Sequence, residues 1–417
     1  MPPHAGAGVH RPLSFVQYAA GHGWRIDAFD EPERDRDNKP GNELLSRVPS
    51  SVRLHVVPPT PRVPSYRFFP RVDGGFTNAL SHAEYAIHAL AHDPPDVVLA
   101  SAPPFFTFVA ARFVARHFGV PFVLDYRDEW TECPFDFVVK DGDDLKWERL
   151  CLAEAAAVLF VTESLLKHQL AVFPELDQQR GHVIPNGWEP DDFASASRDL
   201  SSAPHEGSTV LRVAHVGSLA GHTPPFEFLE SLRQLLSARP EWIAHLKVSF
   251  IGHRSLTAAA AIEAFPYPNV LEVIDHVGKR EAVRRMHEAD VLLLLSAPDL
   301  DRSLPSKLFE YIASRRPVLI FGSAGESSAL IDKLGAGVLC PWGSGETLGD
   351  ALARLRELDM SPFDHAVSAW LNNHRRDVLA ARAFDTIESL IAHAPSAGES
   401  GNDRLREARS RPARRRA

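Results

Sequence analysis

A short helix predicted after an apolar strand carries the two side chains best placed for chemistry. Residues 289–321 read ADVLLLLSAPDLDRSLPSKLFEYIASRRPVLIF, which predicts a strand, a loop, a helix and a second strand. Ser303 suits the N-cap and Pro305 the first turn, so Lys307 and Glu310 share one helix face. The helix N-terminus and the Lys307 ammonium favour a phosphate, and Glu310 can accept hydrogen bonds from two vicinal hydroxyls. A phosphate beside a diol is the outline of a ribonucleotide, although an ordinary surface ion pair also fits this spacing.

The apolar runs predict an α/β protein with two similar halves. Short β-branched runs alternate with amphipathic stretches, which is typical of βαβ units and a parallel sheet. Strands are predicted near residues 24–29, 52–57, 97–100, 122–125 and 158–161, and then near 211–216, 246–251, 291–295 and 318–321. Helices are predicted near residues 78–91, 104–118, 144–155, 224–238, 280–288 and 306–314. We therefore expect two doubly wound, Rossmann-like domains.

A segment poor in large apolar residues separates the two halves. Residues 194–208, ASASRDLSSAPHEGS, are predicted to be a linker between domains at residues 1–193 and 209–375. A last helix is expected at residues 376–394, packed back on the first domain. Residues 395–417 have seven Arg against three acidic residues and few core-forming side chains, so a disordered tail is expected there. Such a tail is either simply solvated or weakly attracted to anionic lipid headgroups.

The composition argues against several classes of protein. Acidic residues outnumber Lys and Arg by 54 to 45, and the formal charge of -9 disfavours a nucleic-acid-binding protein. Cys133, Cys151 and Cys340 are far apart, which argues against a disulfide framework or a structural zinc site and fits a reducing cytoplasm. The longest strongly apolar run, residues 291–297, is far shorter than the ~20 residues that cross a bilayer. The first residues also lack the pattern of a signal sequence, so neither a membrane span nor export is expected.

Several segments resemble, in the same order, those of family 4 glycosyltransferases, two-domain enzymes of the GT-B fold. PSKLFEYIASRRPVLIF at residues 305–321 is similar to the donor-site helix of that family and its following Pro-Val strand. Further matches are DYRDEW at 125–130, IPNG at 184–187, Ala-Asp at 289–290, and glycine-ended strands at 215–218 and 250–252. Each motif alone is common, so the resemblance depends on the ordered set, which spans residues 2–390.

The resemblance implies transfer of a sugar from a nucleotide diphosphate sugar, with retention at the anomeric carbon. The second domain would hold this co-substrate and the first domain the acceptor. The donor-binding residues implied by position are Gly217, Gly252, Arg254, Pro305, Ser306, Lys307 and Glu310. In this scheme Glu310 binds the ribose, and Lys307 stabilises the negative charge that grows on the departing diphosphate. No separate nucleophile is required, because the leaving phosphate helps to deprotonate the acceptor.

On the acceptor side, the resemblance implies a glycine-rich loop and a charged cluster. The residues concerned are Gly6, Gly8, Arg11, Asp125, Arg127 and Asp128. The glycines allow backbone to lie close to a ligand, and Asp128 is the third predicted catalytic residue, a carboxylate able to orient a sugar hydroxyl. A salt-bridged loop is the alternative for the charged cluster. Trp130 could either stack on a sugar ring or belong to the core, and Asn186 with Gly187 also suits an ordinary turn.

The chain departs from the family pattern in three places. No Lys or Arg follows Gly217 as far as residue 222, so positive charge for the pyrophosphate has to come from Arg254 or Arg302. Arg302 also stands where many members have a Glu, eight residues before Glu310, which leaves contacts to the transferred sugar open. The family has a strand before the loop that residues 2–11 resemble. We therefore expect either that the true start lies upstream or that the chain is a shortened copy.

Metal-like spacings lack the patterns that would support them. His88 and His92 are four residues apart without an HExxH motif, and Asp299 and Asp301 form an isolated DxD pair. We expect metal-independent activity and no cofactor. The leading hypothesis is a cytoplasmic glycosyltransferase of the hexosyltransferase type that builds a surface polysaccharide or glycolipid, with weak peripheral contact at the inner face of the membrane through the tail. A sugar-nucleotide epimerase or hydrolase, and a nonenzymatic pseudoenzyme, are the alternatives.

Overall fold

The computed structural model describes residues 7–30, 44–59, 69–135, 138–140, 142–197, 209–219, 223–343, 345–358 and 361–393. Gly6, residues 198–208 of the predicted linker and the Arg-rich tail lie outside these ranges. Within them, no helix is both long and apolar enough to cross a bilayer.

In its described residues, the first half of the chain contains six parallel strands in two sheets. β1 (Asp27–Asp30) pairs with β2 (Arg53–Val56). The second sheet has the order β3-β4-β5-β6, formed by Val98–Ala102, Phe122–Tyr126, Ala157–Phe160 and Gly181–Val183. The helices are α1 (His10–Ala19), α2 (Phe76–Ala89), α3 (Phe106–Phe118), α4 (Asp144–Glu154) and α5 (Glu163–Val172). All five residues of the inner strand β4 are buried, so the charged segment that follows it starts from a well-packed position.

Where the structure describes it, the second half contains a single six-stranded parallel sheet with the order β12-β11-β10-β7-β8-β9. Its strands are β7 (Leu211–Val216), β8 (Leu246–Ile251), β9 (Leu271–Ile274), β10 (Val291–Ser296), β11 (Val318–Gly322) and β12 (Gly337–Cys340). The helices after β7 are α7 (Phe226–Ala238), α8 (Trp242–His245), α9 (Leu256–Glu263), α10 (Lys279–Glu288), α11 (Ser306–Ala313), α12 (Glu326–Leu334), α13 (Gly345–Arg356) and α14 (Ser361–Asn373). The sequence did not predict β6, β9 or β12, because these strands of three or four residues lack a long apolar run.

Helices cover both faces of the six-stranded sheet in the second half, as β10 shows. Leu293 and Leu295 belong to the buried cluster formed with α7 and α13, whereas Leu292 and Leu294 belong to the cluster formed with α11 and α14. A strand covered on both sides has no solvent-facing positions, which explains the uninterrupted apolar run in its sequence. The predicted doubly wound α/β fold is confirmed.

The chain passes between the halves twice at the same place. The Trp188 amide donates to the His374 carbonyl oxygen at 3.1 Å, and the Arg376 amide donates to the Trp188 carbonyl oxygen at 3.0 Å. Helix α6 (Pro190–Ser197) occupies the first four residues of the predicted linker. Phe193 on this helix shares a buried cluster with Val283 of the second half. Phe193, which directly precedes the predicted linker, therefore already packs with the second half.

The last helix, α15 (Arg376–His393), returns to the first half. Leu379, Ala383 and Phe384 share a buried cluster with Phe15 of α1 and Val123 of β4. The two small side chains on this face, Ala380 and Ala383, are fully buried, which allows the helix to lie close to the β3–β6 sheet. Arg376, at the beginning of the helix, is thereby held at the boundary between the halves.

Candidate active site

A cavity of 620 Å³ lies between the two halves, at the carboxyl ends of their strands. This is where parallel α/β sheets place their ligands. Ten of the predicted site residues line it: Gly8, Arg11, Arg127, Asp128, Gly217, Gly252, Pro305, Ser306, Lys307 and Glu310. His10, Lys279 and Arg376, which the sequence did not predict, line it as well. The two sheets thus bring donor-side and acceptor-side candidates to one space.

Lys307, in the first turn of α11, lies beside two glycine loops. A Cβ atom added to Gly217 would be 3.0 Å from the Lys307 ammonium nitrogen, and Gly217 has a φ of +143°, which side-chain-bearing residues rarely adopt. Gly252 has a φ of +130°, and a Cβ there would be 2.6 Å from the Gly217 carbonyl oxygen. These two positions therefore require glycine, and their lack of side chains makes room for the lysine at the cavity wall.

The Lys307 ammonium has a neutral neighbour in His215. Burial, with Lys307 nearby, lowers the pKa of His215 well below its usual value, so the ring is uncharged. Its Nδ1 donates to the Leu293 carbonyl oxygen at 3.0 Å, which leaves Nε2 as an acceptor 3.5 Å from the Lys307 nitrogen. Burial also lowers the pKa of Lys307 to about 8, with Glu310 opposing the shift. Among the described residues no carboxylate is paired with Lys307, so its positive charge is available to an anionic ligand.

Glu310, one turn further along α11, is held between two cations from distant segments. Its Oε1 lies 2.5 Å from the ammonium nitrogen of Lys279 and 3.9 Å from Nη2 of Arg376. The Glu310 and Arg376 side chains are both nearly buried. Lys279 follows Gly278 at the start of α10, a glycine-then-lysine pattern after a strand that could have drawn attention to it. Arg376 gave no such local signal, because only the return of α15 brings it to the cavity.

Asp125 does not face the cavity as predicted. Its carboxylate is fully buried and accepts hydrogen bonds from Nε and Nη2 of Arg11 at 2.9 Å and 2.7 Å, and from the Ser101 hydroxyl at 2.7 Å. Nη1 of Arg11 donates to the Pro185 carbonyl oxygen at 2.9 Å. Asp125 therefore holds Arg11 in place and has no access to a sugar hydroxyl. The reason is geometric, because its side chain projects from β4 toward α1.

Arg127 lines the cavity with its guanidinium fixed by backbone oxygens. It donates to the carbonyl oxygens of Gly8, at 2.6 Å, of Ala102, at 3.2 Å, and of Pro103. A Cβ atom on Gly8 would collide with the Arg127 Nη1, so the glycine leaves room for this side chain. The glycine loop and the charged segment after β4 are thus one structural unit on the acceptor side.

Asp128, in contrast, has a carboxylate that accepts no hydrogen bond from any described residue. Burial raises the pKa of Asp128, while Arg127 opposes this shift and Glu129 adds to it. A partly desolvated carboxylate without a donor is well suited to accept a hydrogen bond from a ligand hydroxyl.

Two further candidates lie away from the cavity. Arg254 donates to the carbonyl oxygens of Gly252 and Ile274 and pairs with Asp275, so its charge is used locally. Trp130 is fully buried, stacks on Phe105 with ring centroids 5.1 Å apart, and belongs to the core.

Over the described part of the chain, no group of three His, Cys, Asp or Glu side chains is arranged to hold a metal ion.

The cavity wall is positive although the chain as a whole is negative. It contains five cationic side chains, those of Arg11, Arg127, Lys279, Lys307 and Arg376, against the carboxylates of Asp128 and Glu310. Asp125 neutralises Arg11 from behind. The remaining excess of positive charge favours an anionic ligand such as a diphosphate.

Comparison with known proteins shows which family and fold the chain resembles. Residues 9–187 match the family model described as glycosyl transferase 4-like domain. A comparison with curated protein sequences gives no significant match. Sucrose-phosphate synthase from Thermosynechococcus elongatus superimposes with a TM-score of 0.66 at 13% identity, covering 91% of this chain and 92% of that chain. Anabaena HepE in complex with UDP and glucose superimposes with a TM-score of 0.64 at 14% identity, covering 92% of this chain and 96% of that chain. WaaG, a glycosyltransferase involved in lipopolysaccharide biosynthesis, superimposes with a TM-score of 0.62 at 16% identity, covering 92% of this chain and 96% of that chain.

At these identities the structural likeness shows the fold, and the family model adds a likeness to a glycosyl transferase 4-like domain over residues 9–187. The predicted resemblance to family 4 glycosyltransferases is thereby confirmed. Residues 9–187 therefore match a glycosyl transferase 4-like domain, and the chain as a whole has the two-domain GT-B fold of the glycosyltransferases on which it superimposes.

Proposed function

We propose that the protein transfers a sugar, with retention of anomeric configuration, from a nucleotide diphosphate sugar to a glycan or glycolipid acceptor. The observation that carries this proposal is the position of Lys307 and Glu310 on one helix that opens into the cavity, opposite Asp128. The HepE structure, which is in complex with UDP and glucose, supports a nucleotide-sugar donor for a protein of this fold.

On the donor side, the N-terminus of α11 and Lys307 bind the diphosphate. Backbone amides at the start of a helix and its partial positive charge favour phosphate oxygens. The Lys307 ammonium stabilises the charge that develops on the diphosphate as the anomeric C–O bond breaks. Glu310 has carboxylate positions beyond the one that Lys279 occupies, and these accept hydrogen bonds from the ribose hydroxyls.

On the acceptor side, Asp128 orients the attacking hydroxyl. The acceptor oxygen forms its bond to the anomeric carbon on the face from which the diphosphate leaves, and the acceptor proton passes to an oxygen of the departing phosphate. This route needs no covalent enzyme intermediate and no metal ion. Loss of turnover with a chelator and its recovery with manganese would contradict the metal-independent mechanism.

We place the enzyme in surface polysaccharide or glycolipid synthesis at the cytoplasmic side of the membrane. WaaG, which acts in lipopolysaccharide biosynthesis, has the same fold and supports this context. The seven Arg of residues 395–417 would supply weak contact with anionic headgroups. Co-sedimentation of the full chain with anionic vesicles, and its loss on removal of these residues, tests that part of the proposal.

The central test is a thermal-shift screen of the full chain against nucleoside diphosphates. A ligand that binds only the folded state stabilises it by about 2.7 kcal/mol at a hundredfold excess over its Kd, so the right base should raise the Tm clearly. Lys307→Ala and Glu310→Ala should abolish most of the shift. Lys333→Ala and Glu263→Ala, which change exposed residues of α12 and α9, are the matched controls and should keep it. Equal shifts in all four variants would show that the donor site lies elsewhere.

A further inference from the structure

An ion pair joins the two halves beside the cavity. Nε of Arg302 lies 2.8 Å from Oε1 of Glu129, and Nη2 lies 3.1 Å from Oε2, so the pair is bidentate. Glu129 comes from the first half and is only 6% exposed, whereas Arg302 lies in the loop between β10 and α11. Each is the immediate neighbour of a residue that lines the cavity, Asp128 in one case and Ser303 in the other.

The same loop is held from the first half at two further points. The Thr162 hydroxyl donates to the Arg302 carbonyl oxygen at 2.8 Å, and Nδ2 of Asn186 donates to the Leu304 carbonyl oxygen at 3.4 Å. One helix further along, the hydroxyl and the amide of Ser164 both donate to Oε1 of Glu326. The loop that leads into Lys307 is therefore docked on the acceptor half as well as joined to its own sheet.

Of these contacts, the ion pair has the geometry to determine the position of the loop. A bidentate guanidinium–carboxylate pair is directional and stronger than a neutral hydrogen bond, and the burial of Glu129 limits screening by solvent. The loop has only three residues between Arg302 and the first residue of α11. A displacement of Arg302 relative to Glu129 therefore moves Lys307 relative to Asp128.

We infer that Glu129 and Arg302 are positioning residues, whose ion pair sets the distance between the acceptor carboxylate of Asp128 and the donor-side Lys307. This rests on the proposed function, because the distance matters only if the two groups serve one transfer. Neither side chain has to touch the donor for this role. Loss of the pair should therefore separate the halves and slow turnover while leaving nucleotide affinity intact, since Lys307 and Glu310 both belong to the second half.

The test combines a distance measurement with binding and turnover in the full chain. Spin labels on Glu84→Cys and Ala238→Cys, exposed positions in the first and second halves, report the distance between the halves. The native cysteines Cys133, Cys151 and Cys340 are buried, so the label reacts with the two new cysteines. UDP affinity is measured by calorimetry. Turnover is measured by a coupled assay of the UDP released as the glucosyl group of UDP-glucose passes to the hydroxyl of an added sugar, or to water where no sugar accepts it. The variants are Glu129→Gln, Arg302→Gln, Arg302→Lys and the exchanged double variant Glu129→Arg/Arg302→Glu. Arg233→Gln, which breaks an exposed pair within α7, is the control.

The two glutamine variants should lengthen or broaden the distance distribution and slow UDP release at least tenfold, with the Kd for UDP changed less than twofold. Arg302→Lys should fall between these variants and the native chain, and the exchanged pair should recover much of the lost rate. An unchanged distance distribution in both glutamine variants would overturn the inference. So would a loss of UDP affinity equal to the loss of rate, because Arg302 would then be a donor ligand. The distance measurement needs no nucleotide, so it separates failure of this inference from failure of the proposed function.

Discussion

The ammonium nitrogen of Lys279 lies 2.5 Å from Oε1 of Glu310, so the carboxylate proposed to bind ribose is already paired within its own half. The pair leaves Oε2 of Glu310 for a ligand, and Nη2 of Arg376, 3.9 Å from Oε1, helps to hold the carboxylate in position. A diol that binds here has to fit a carboxylate with one oxygen occupied. Ligands that differ in their ribose hydroxyls therefore test this site more specifically than ligands that differ in their phosphates.

Glu310→Gln should reduce the preference for ribose over deoxyribose. A hydrogen bond to a charged group contributes about 1.5–3 kcal/mol, so the native chain should bind UDP roughly ten- to a hundredfold more tightly than 2′-deoxy-UDP. The variant should bind the two with similar Kd values in calorimetry. Lys307→Ala should weaken both ligands equally. An undiminished preference in Glu310→Gln would assign the ribose to another residue.

Affinity for a nucleoside diphosphate should fall as pH rises through about 8. The pKa of Lys307 is lowered to about 8 by burial, so the ammonium is charged below that pH and loses its proton above it. A bound diphosphate favours the charged form and moves the transition of the complex higher. Calorimetry at pH 7, 8 and 9 should show a rising Kd for UDP and a constant one for uridine. Lys307→Arg stays charged throughout, and an equally steep dependence in this variant would show that a different group titrates.

Gly217→Ala should disturb the donor site through Lys307. The φ of +143° costs about 1–3 kcal/mol for a residue with a side chain, and the new methyl group would lie 3.0 Å from the Lys307 nitrogen. The expected result is a Kd for UDP about tenfold higher, because the ammonium has to move. Gly335→Ala is the matched control, since Gly335 has a φ of +62° with open space around it. It should lose stability without loss of affinity, and an equal loss of affinity in both variants would point to a general effect on folding.

Asp125→Ala should destabilise the first half. Asp125 is fully buried and Arg11 nearly so, and removing one partner of such a pair leaves an uncompensated charge at a cost of about 3–5 kcal/mol. Urea unfolding followed by fluorescence measures this as a lower midpoint. Asp93→Ala, which breaks exposed pairs with Arg25 and Arg53, should leave the midpoint nearly unchanged. A small effect of Asp125→Ala would mean that water reaches Arg11 in its place.

Local patterns in the sequence were enough to predict the element that carries the donor side. Residues 291–321 predict a strand, helix and strand because apolar runs, the Pro305 turn and the spacing of Lys307 and Glu310 are all short-range signals. The family resemblance placed Asp125 among the acceptor-side residues, but in the structure its carboxylate is buried against Arg11. The sequence shows the order of the residues from Asp125 to Asp128. It does not show that Asp125 is paired with Arg11, which lies 114 positions away.

The sequence by itself determined the class of fold, the order of its longer strands with the helices predicted between them, and the placement of Lys307 and Glu310 on one helix. These follow from periodicity and from contacts within a few residues. Only the tertiary structure decided which charges are available to a ligand. Lys279, Arg376 and Glu129 reach their partners from separate elements, and a charge that meets a partner across the fold is neutralised or positioned by it. The Asp128 carboxylate is paired with no residue that the structure describes, so it stays available to a ligand.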